Sequence, residues 1–137
     1  MKKLILFIVV VLCFGTTYGQ TIQKGNVIGF HVITLNLNPD VTLNQFMDVM
    51  INKAIPEYNK NFPGVKHFVV KGLRGECVNC YAWILQIESE AVRNKYWKED
   101  GGYSDAGNTA LQKMQPVLDE LYKMATPSTK YTDWMVQ

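Results

Sequence analysis

Two histidines, His31 and His67, are all this chain offers as general bases of the usual kind. Each alternates with small or apolar residues, His31 beside Gly29 and Ile33, His67 beside Val65 and Val69, which places both on strands. A histidine so placed is either a half-buried, hydrogen-bonded core residue or a base on a pocket wall, and the pattern leaves both open. In the second case His31, on a central strand, is the candidate that takes a proton from a phenol-like ligand, with His67 as a candidate ligand contact. Two histidines with no carboxylate at ligand spacing do not make a metal centre, so no metal is expected.

Aromatic residues Tyr81, Trp83, Tyr96, Trp97, Tyr103, Tyr131 and Trp134 fall near the third and fourth strands and the second helix. They serve either as core and interface or as the lining of a cavity for a flat apolar ligand. On the second alternative Tyr81, Trp83, Tyr96 and Trp97 are the candidate ligand contacts. Cys77 and Cys80 stand as C-x-x-C in a predicted hairpin turn. The ends of such a turn lie within about 7 Å, so a disulfide closes it, contributing about 2 kcal/mol because the loop is short. A redox-active pair would need a helix N-terminus beside the first cysteine, and the flanking strands supply none. Tyr81 stands where c-type haem attachment would require a histidine.

Other chemistries find no foothold. The loop at residues 99–105 lacks the lysine of a phosphate loop and the carboxylate spacing of a calcium loop, which leaves it as a lid over a cavity or an ordinary connection. No G-x-S-x-G element marks a serine hydrolase. Lys66, Lys71 and Arg74 cluster on the second strand in the manner of a solvated sheet edge. With 14 basic and 12 acidic residues there is no field to hold nucleic acid, and nucleic-acid partners are not expected.

The elements that must position these groups follow from length and patterning. The 137 residues suit one domain, and 47% apolar content excludes a disordered tail. Lys2 and Lys3, the apolar run from Leu4 to Phe14 and the small Thr17 and Gly19 read as a secretory signal peptide cut between Gly19 and Gln20. The run is too short for the about 20 residues of a membrane anchor, and Leu12 before Cys13 opposes lipidation. The expectation is a bacterial protein, periplasmic or secreted, with a single domain at 20–137 and no membrane contact after cleavage.

Residues 27–37 are apolar on both alternating faces, a strand covered on two sides. Thr42 to Gln45 has the spacing of a capping box, and Leu43, Phe46, Met47, Met50, Ala54 and Tyr58 then repeat at helical spacing. Pro56 inside that stripe predicts a kink or a split-off last turn. Strands are predicted at 65–73 and 81–88, a short helix from Ser89 to about Trp97, a loop at 98–107, a helix carrying Leu111 to Ala125, and a strand at 129–136. Strand, helix, strand, strand, helix, strand is the split βαβ order of an α+β, ferredoxin-like sandwich with a four-stranded antiparallel sheet. Both helices would lie on one sheet face, so the apolar second face needs a cover, most simply a second copy of the chain.

At this point the chain resembles the dimeric α+β barrel superfamily, which includes antibiotic-biosynthesis monooxygenase-like and stress-responsive barrel domains. The resemblance rests on the element order, on Gly29-Phe30-His31, on Phe62-Pro63-Gly64-Val65, and on Ser89 opening a helix that carries Tyr96-Trp97. It implies a homodimer more strongly than any one chemistry. The Asn, Trp and His set of haem-degrading members has no residue-by-residue match here. Three functions stand side by side: a binding domain for a small apolar or aromatic molecule, a cofactor-independent monooxygenase or isomerase with His31 as base, and a structural or protein-interaction module. None of them calls for a cofactor.

Overall fold

The computed structural model describes residues 21–78 and 80–137; the expected leader at 1–19, Cys13 included, lies outside them. Strand β1 (Val27–Leu37) leads into a helical stretch made of α1 (Leu43–Val49), a π-helical turn (Met50–Ala54) and α2 (Ile55–Asn61). Strands β2 (Val65–Lys71) and β3 (Tyr81–Ile87) follow, then α3 (Glu90–Tyr96), α4 (Asp105–Lys113), α5 (Gln115–Met124) and β4 (Ala125–Met135). The sheet runs β2-β3-β1-β4 with every pairing antiparallel, so the two halves of the βαββαβ order interleave.

The capping box at Thr42 is formed in both directions. The Gln45 amide donates to the Thr42 hydroxyl at 3.3 Å, and the Thr42 amide donates to the Gln45 side chain at 2.8 Å. Pro56 has no amide proton to give, and the helix answers with a π turn just ahead of it. The Ile55 amide donates to the Met50 carbonyl, five residues back. That wider turn keeps Phe46, Val49, Met50, Ala54 and Tyr58 all buried on the sheet. The proline is therefore absorbed within a continuous helical stretch.

Strand β2 stops at Lys71 and β3 at Ile87, slightly short of the predicted 73 and 88, and three larger differences from the sequence expectation follow. The loop predicted at 98–107 ends early, because the Ser104 hydroxyl accepts from the Gly107 amide at 3.2 Å and Asp105 occupies the first turn, together starting α4. The last helix is two helices, since Met114 leaves helical geometry and Pro116 fits the first turn of α5. Strand β4 starts at Ala125 and not at Thr129; Pro127 is tolerated because β4 is an edge strand.

All the helices cover one face, where Val27, Val65, Leu85, Ile87 and Ala125 pack against Phe46, Phe62, Met114 and Leu118. The other face is open. Across it Phe68, Ile84, Phe30 and Thr132 form one row, and Val70, Ala82, Val32 and Lys130 the next. Phe30 and Phe68 keep 43% and 44% of their surface, and Trp134 keeps 63%. Isolated apolar side chains on a surface are ordinary, but a contiguous sheet face of them is not.

Candidate functional site

Between the sheet and the helices lies a cavity of about 270 Å³. Its floor is the helix-facing side of the sheet, with His31 from β1, His67 from β2, Trp83 and Leu85 from β3, and Tyr131 and Asp133 from β4. Tyr58 and Arg93 come from α2 and α3, and Trp97, Gly101 and Tyr103 from the segment leading to α4. Strand alternation explains the floor: these residues occupy helix-facing positions in the register, where successive side chains on one face are two apart.

His67 is clamped. Its amide donates to the Asn59 side chain of α2 at 2.8 Å, tying the edge strand to the helix. Its ring stacks on Tyr58 with centroids 5.0 Å apart, and Phe62 meets it edge-on at 5.9 Å. The Trp83 indole N–H donates to His67 Nδ1 at 3.1 Å. His67 is only 3% exposed, and burial holds its pKa down to about 3, with nearby His31 acting in the same direction. It is a neutral imidazole at ordinary pH.

His31 occupies the more open end. Its ring stacks on Tyr131, centroids 5.1 Å apart and 17° from parallel. Gly29 creates the space beside it: a Cβ there would stand 3.1 Å from Asp133 Oδ1 and 3.3 Å from His31 Nε2. Asp133 is thus a neighbour of the imidazole, and Arg93 Nε donates to its other oxygen at 3.2 Å. Burial lowers the His31 pKa, and the Asp133 carboxylate partly restores it. The arrangement suits a base that is neutral when free and gains a counter-charge once protonated.

Arg93 also donates to the Lys98 carbonyl at 3.1 Å, which fixes the start of the segment at 98–103 against the sheet. Trp97 and Tyr103 close that segment by an isolated antiparallel bridge. Gly101 has φ +83°, and a Cβ there would collide with the Tyr131 hydroxyl, so the segment packs against the tip of Tyr131. Burial raises the phenol pKa of both Tyr58 and Tyr103, so both remain protonated donors.

Of the residues singled out from the sequence, the cavity brings together His31, His67, Trp83, Trp97, Tyr103 and Tyr131, while Trp134 stands exposed on the open sheet face. Tyr81 lies at the far end of β3, opposite Ile33 and Lys71, outside the lining. Tyr96 is core, 3% exposed, its hydroxyl donating to the Pro63 carbonyl at 3.2 Å. Cys77 and Cys80 are joined by a disulfide, away from the cavity. Asp133 and Arg93 were not foreseen. The signal available was a charged residue, Asp133, alternating with Tyr131 on a strand, which in a helix-facing position requires a partner. Among the described residues no three His, Cys, Asp or Glu side chains converge as a metal site.

Comparison with known proteins adds structures and no sequence family. No family model matches the chain, and no curated protein matches it. Among solved structures it is similar to SnoaB, a cofactor-independent oxygenase from Streptomyces nogalater, with TM-score 0.49 and 15% identity over 83% of this chain and 95% of that one. It is also similar to a dimeric protein of unknown function and ferredoxin-like fold from Bacteroides fragilis, with TM-score 0.46 and 16% identity over 82% and 98% of the two chains. The fold of this chain is ferredoxin-like. Its own antiparallel β2-β3-β1-β4 sheet, with helices on one face, carries that statement.

Proposed function

We propose that this protein binds a small, flat, apolar or aromatic molecule in the cavity between sheet and helices. The observation that carries the reading is the cavity wall itself: aromatic faces from Tyr58, Trp83, Trp97, Tyr103 and Tyr131, with a few polar groups set among them. Ligand sites are commonly apolar concavities with a small number of placed polar groups, and those for drug-sized molecules begin near about 300 Å³. A volume of about 270 Å³ therefore favours a compact ligand of a few fused rings. The bare apolar sheet face supports a homodimer formed through that face, and the leader together with the Cys77–Cys80 disulfide supports export to the periplasm or beyond. A native mass spectrum of the protein purified from the periplasm tests the reading. A dimer carrying the mass of a small aromatic compound is expected; a ligand-free monomer that takes up no aromatic probe overturns it.

A second reading is favoured by the His31–Asp133 geometry. His31 acts as base in a cofactor-independent oxygenase or isomerase, accepting the proton of a phenolic or enolic hydroxyl. The O–H bond breaks with its electron pair left on oxygen, and the imidazolium is stabilised by Asp133. In an isomerase the same proton returns to carbon; in an oxygenase molecular oxygen is the co-reactant. Unchanged turnover in His31→Ala with a substrate in hand removes this role.

A further inference from the structure

The segment between α3 and α4 forms one wall of the cavity. Trp97, Gly101 and Tyr103 line it together with Tyr131 and Asp133 of β4, the edge strand of the sheet. No further strand continues the sheet beyond β4, so on that side the wall has to come from the helical layer. Gly101 supplies it where it meets the tip of Tyr131.

The turn at 98–102 satisfies its own backbone. The Lys98 amide donates to the Gly102 carbonyl at 2.7 Å, the Gly101 amide to the Lys98 carbonyl at 3.1 Å, and the Gly102 amide to the Asp100 side chain at 2.9 Å. Both ends of the turn are held by the core. Trp97 stacks on Phe62 with centroids 5.7 Å apart, Tyr103 lies 6.5 Å from the same ring, and the Ser104 amide donates to the Tyr96 carbonyl at 3.0 Å. Between those ends, among the described residues, a single hydrogen bond joins the turn to the rest of the protein: Arg93 donates to the Lys98 carbonyl at 3.1 Å. Arg93 is itself seated on the cavity floor by its Nε bond to Asp133.

A turn bonded within itself, on fixed ends and with one outside bond, costs little to swing out. The Lys98 carbonyl exchanges Arg93 for water, and no bond inside the turn is broken. Residues 98–102 are Lys, Glu, Asp, Gly and Gly, so the motion withdraws no apolar side chain of the turn from the core. Lys98, Glu99 and Asp100 are exposed, and among the described residues none of them is in an ion pair. A wall built as part of the core would show the opposite of each feature.

We propose that residues 98–102 are a flap gating the β4 side of the cavity, hinged at Trp97 and Tyr103 and latched by Arg93, with ligand passing between the flap and Tyr131. The inference rests on the ligand-binding reading above and adds the route of entry. The latch also reaches the candidate base. The guanidinium that holds the flap holds the carboxylate beside His31, so the closed flap and the counter-charge of His31 share one side chain.

The test compares the full mature protein with Arg93→Gln, which loses the latch, and with Gly101→Ala, whose added Cβ props the flap off Tyr131. Naphthalene, an apolar two-ring probe, is mixed with each in a stopped-flow instrument, and its binding is followed by tryptophan fluorescence. A gate limits entry and exit alike. In both variants the association and dissociation rates are therefore expected to rise together, by about three-fold or more, with Kd little changed. Amide-nitrogen relaxation dispersion on the ligand-free wild type is expected to show exchange confined to 98–102 and the facing Tyr131. Flat dispersion across the segment, or unchanged rates in a folded variant, overturns the flap and leaves the cavity reading standing. A change in Kd without the common rise in rates makes Arg93 and Gly101 ordinary lining and overturns the flap as well. Naphthalene that fails to bind wild type overturns both readings. Should one variant not fold, the other decides together with the wild-type dispersion.

Discussion

Trp83 and His67, diagonal neighbours on adjacent strands, share one hydrogen bond in which the indole donates to Nδ1 at 3.1 Å. That bond fixes which imidazole nitrogen faces the core and which is left over, and it ties a pH dependence to the fold. The unfolded chain binds a proton at His67 near pH 6.5, the folded chain only near pH 3. Between those values the unfolded state carries more protons, so stability falls as pH drops through that window, with a slope approaching about 1.4 kcal/mol per pH unit from this group. His31, also lowered by burial, acts in the same direction. Urea unfolding at pH 7, 6, 5 and 4 measures the slope, and His67→Phe should flatten it; an equal slope in both proteins would contradict the assignment.

Asp133 stabilises the charged form of His31. Replacing it with Asn preserves shape and removes the charge. The His31 pKa is then expected to fall further below its ordinary value, read from the ring proton shifts in an NMR titration. No movement, or an upward one, would show that Asp133 serves Arg93 alone.

Gly107 is buried at the start of α4, where a Cβ would collide with the Tyr96 carbonyl and stand 2.9 Å from the Tyr103 ring. Gly107→Ala must push α4 away from α3. The expected loss is about 1–3 kcal/mol, the usual range for overpacking a tight contact. Thermal or urea melts check it, and a neutral result would mean that the helices separate freely.

The open sheet face carries Phe30 and Phe68 in one row with Ile84 between them. Phe30→Lys with Phe68→Lys places two charges in the middle of that row without touching the core. Light scattering should give a dimer for the wild-type protein and a folded monomer for the double variant. A wild-type monomer, or a variant that remains dimeric, would rule this face out as the interface.

The Cys77–Cys80 bridge closes a very short loop beside β3. Serine at both positions is expected to cost no more than about 2 kcal/mol and to leave ligand binding intact, because the loop lies away from the cavity. A larger loss, or loss of ligand binding, would give the bridge a role in shaping the site.

Much of the fold was legible before any coordinates, because its signals are local. The β1 strand, the Thr42–Gln45 box and the C-x-x-C turn each depend on residues a few positions apart, and each forms as expected, while the cover expected over the second face of β1 is not supplied within the chain. Where expectation failed, two local signals competed. Ser104 and Asp105 read as loop because glycines surround them, yet in place they cap and charge a helix start. Pro56 read as a kink or a split-off turn and Pro116 fell inside one predicted helix, whereas the structure has a π turn ahead of the first and a new helix starting at the second.

The chain's own sequence thus determined the element order, the face on which each strand residue stands and the two histidines as the bases available. Alternation and helical spacing are sufficient for that, since they depend only on backbone geometry. Which side chains meet was decided by the tertiary structure. Strand pairing alone sets Asp133 opposite Gly29, and the missing Cβ there leaves room for the carboxylate beside His31. Likewise Tyr96 and Trp97, adjacent in sequence, part company as one enters the core and the other lines the cavity, because the helix ends between them.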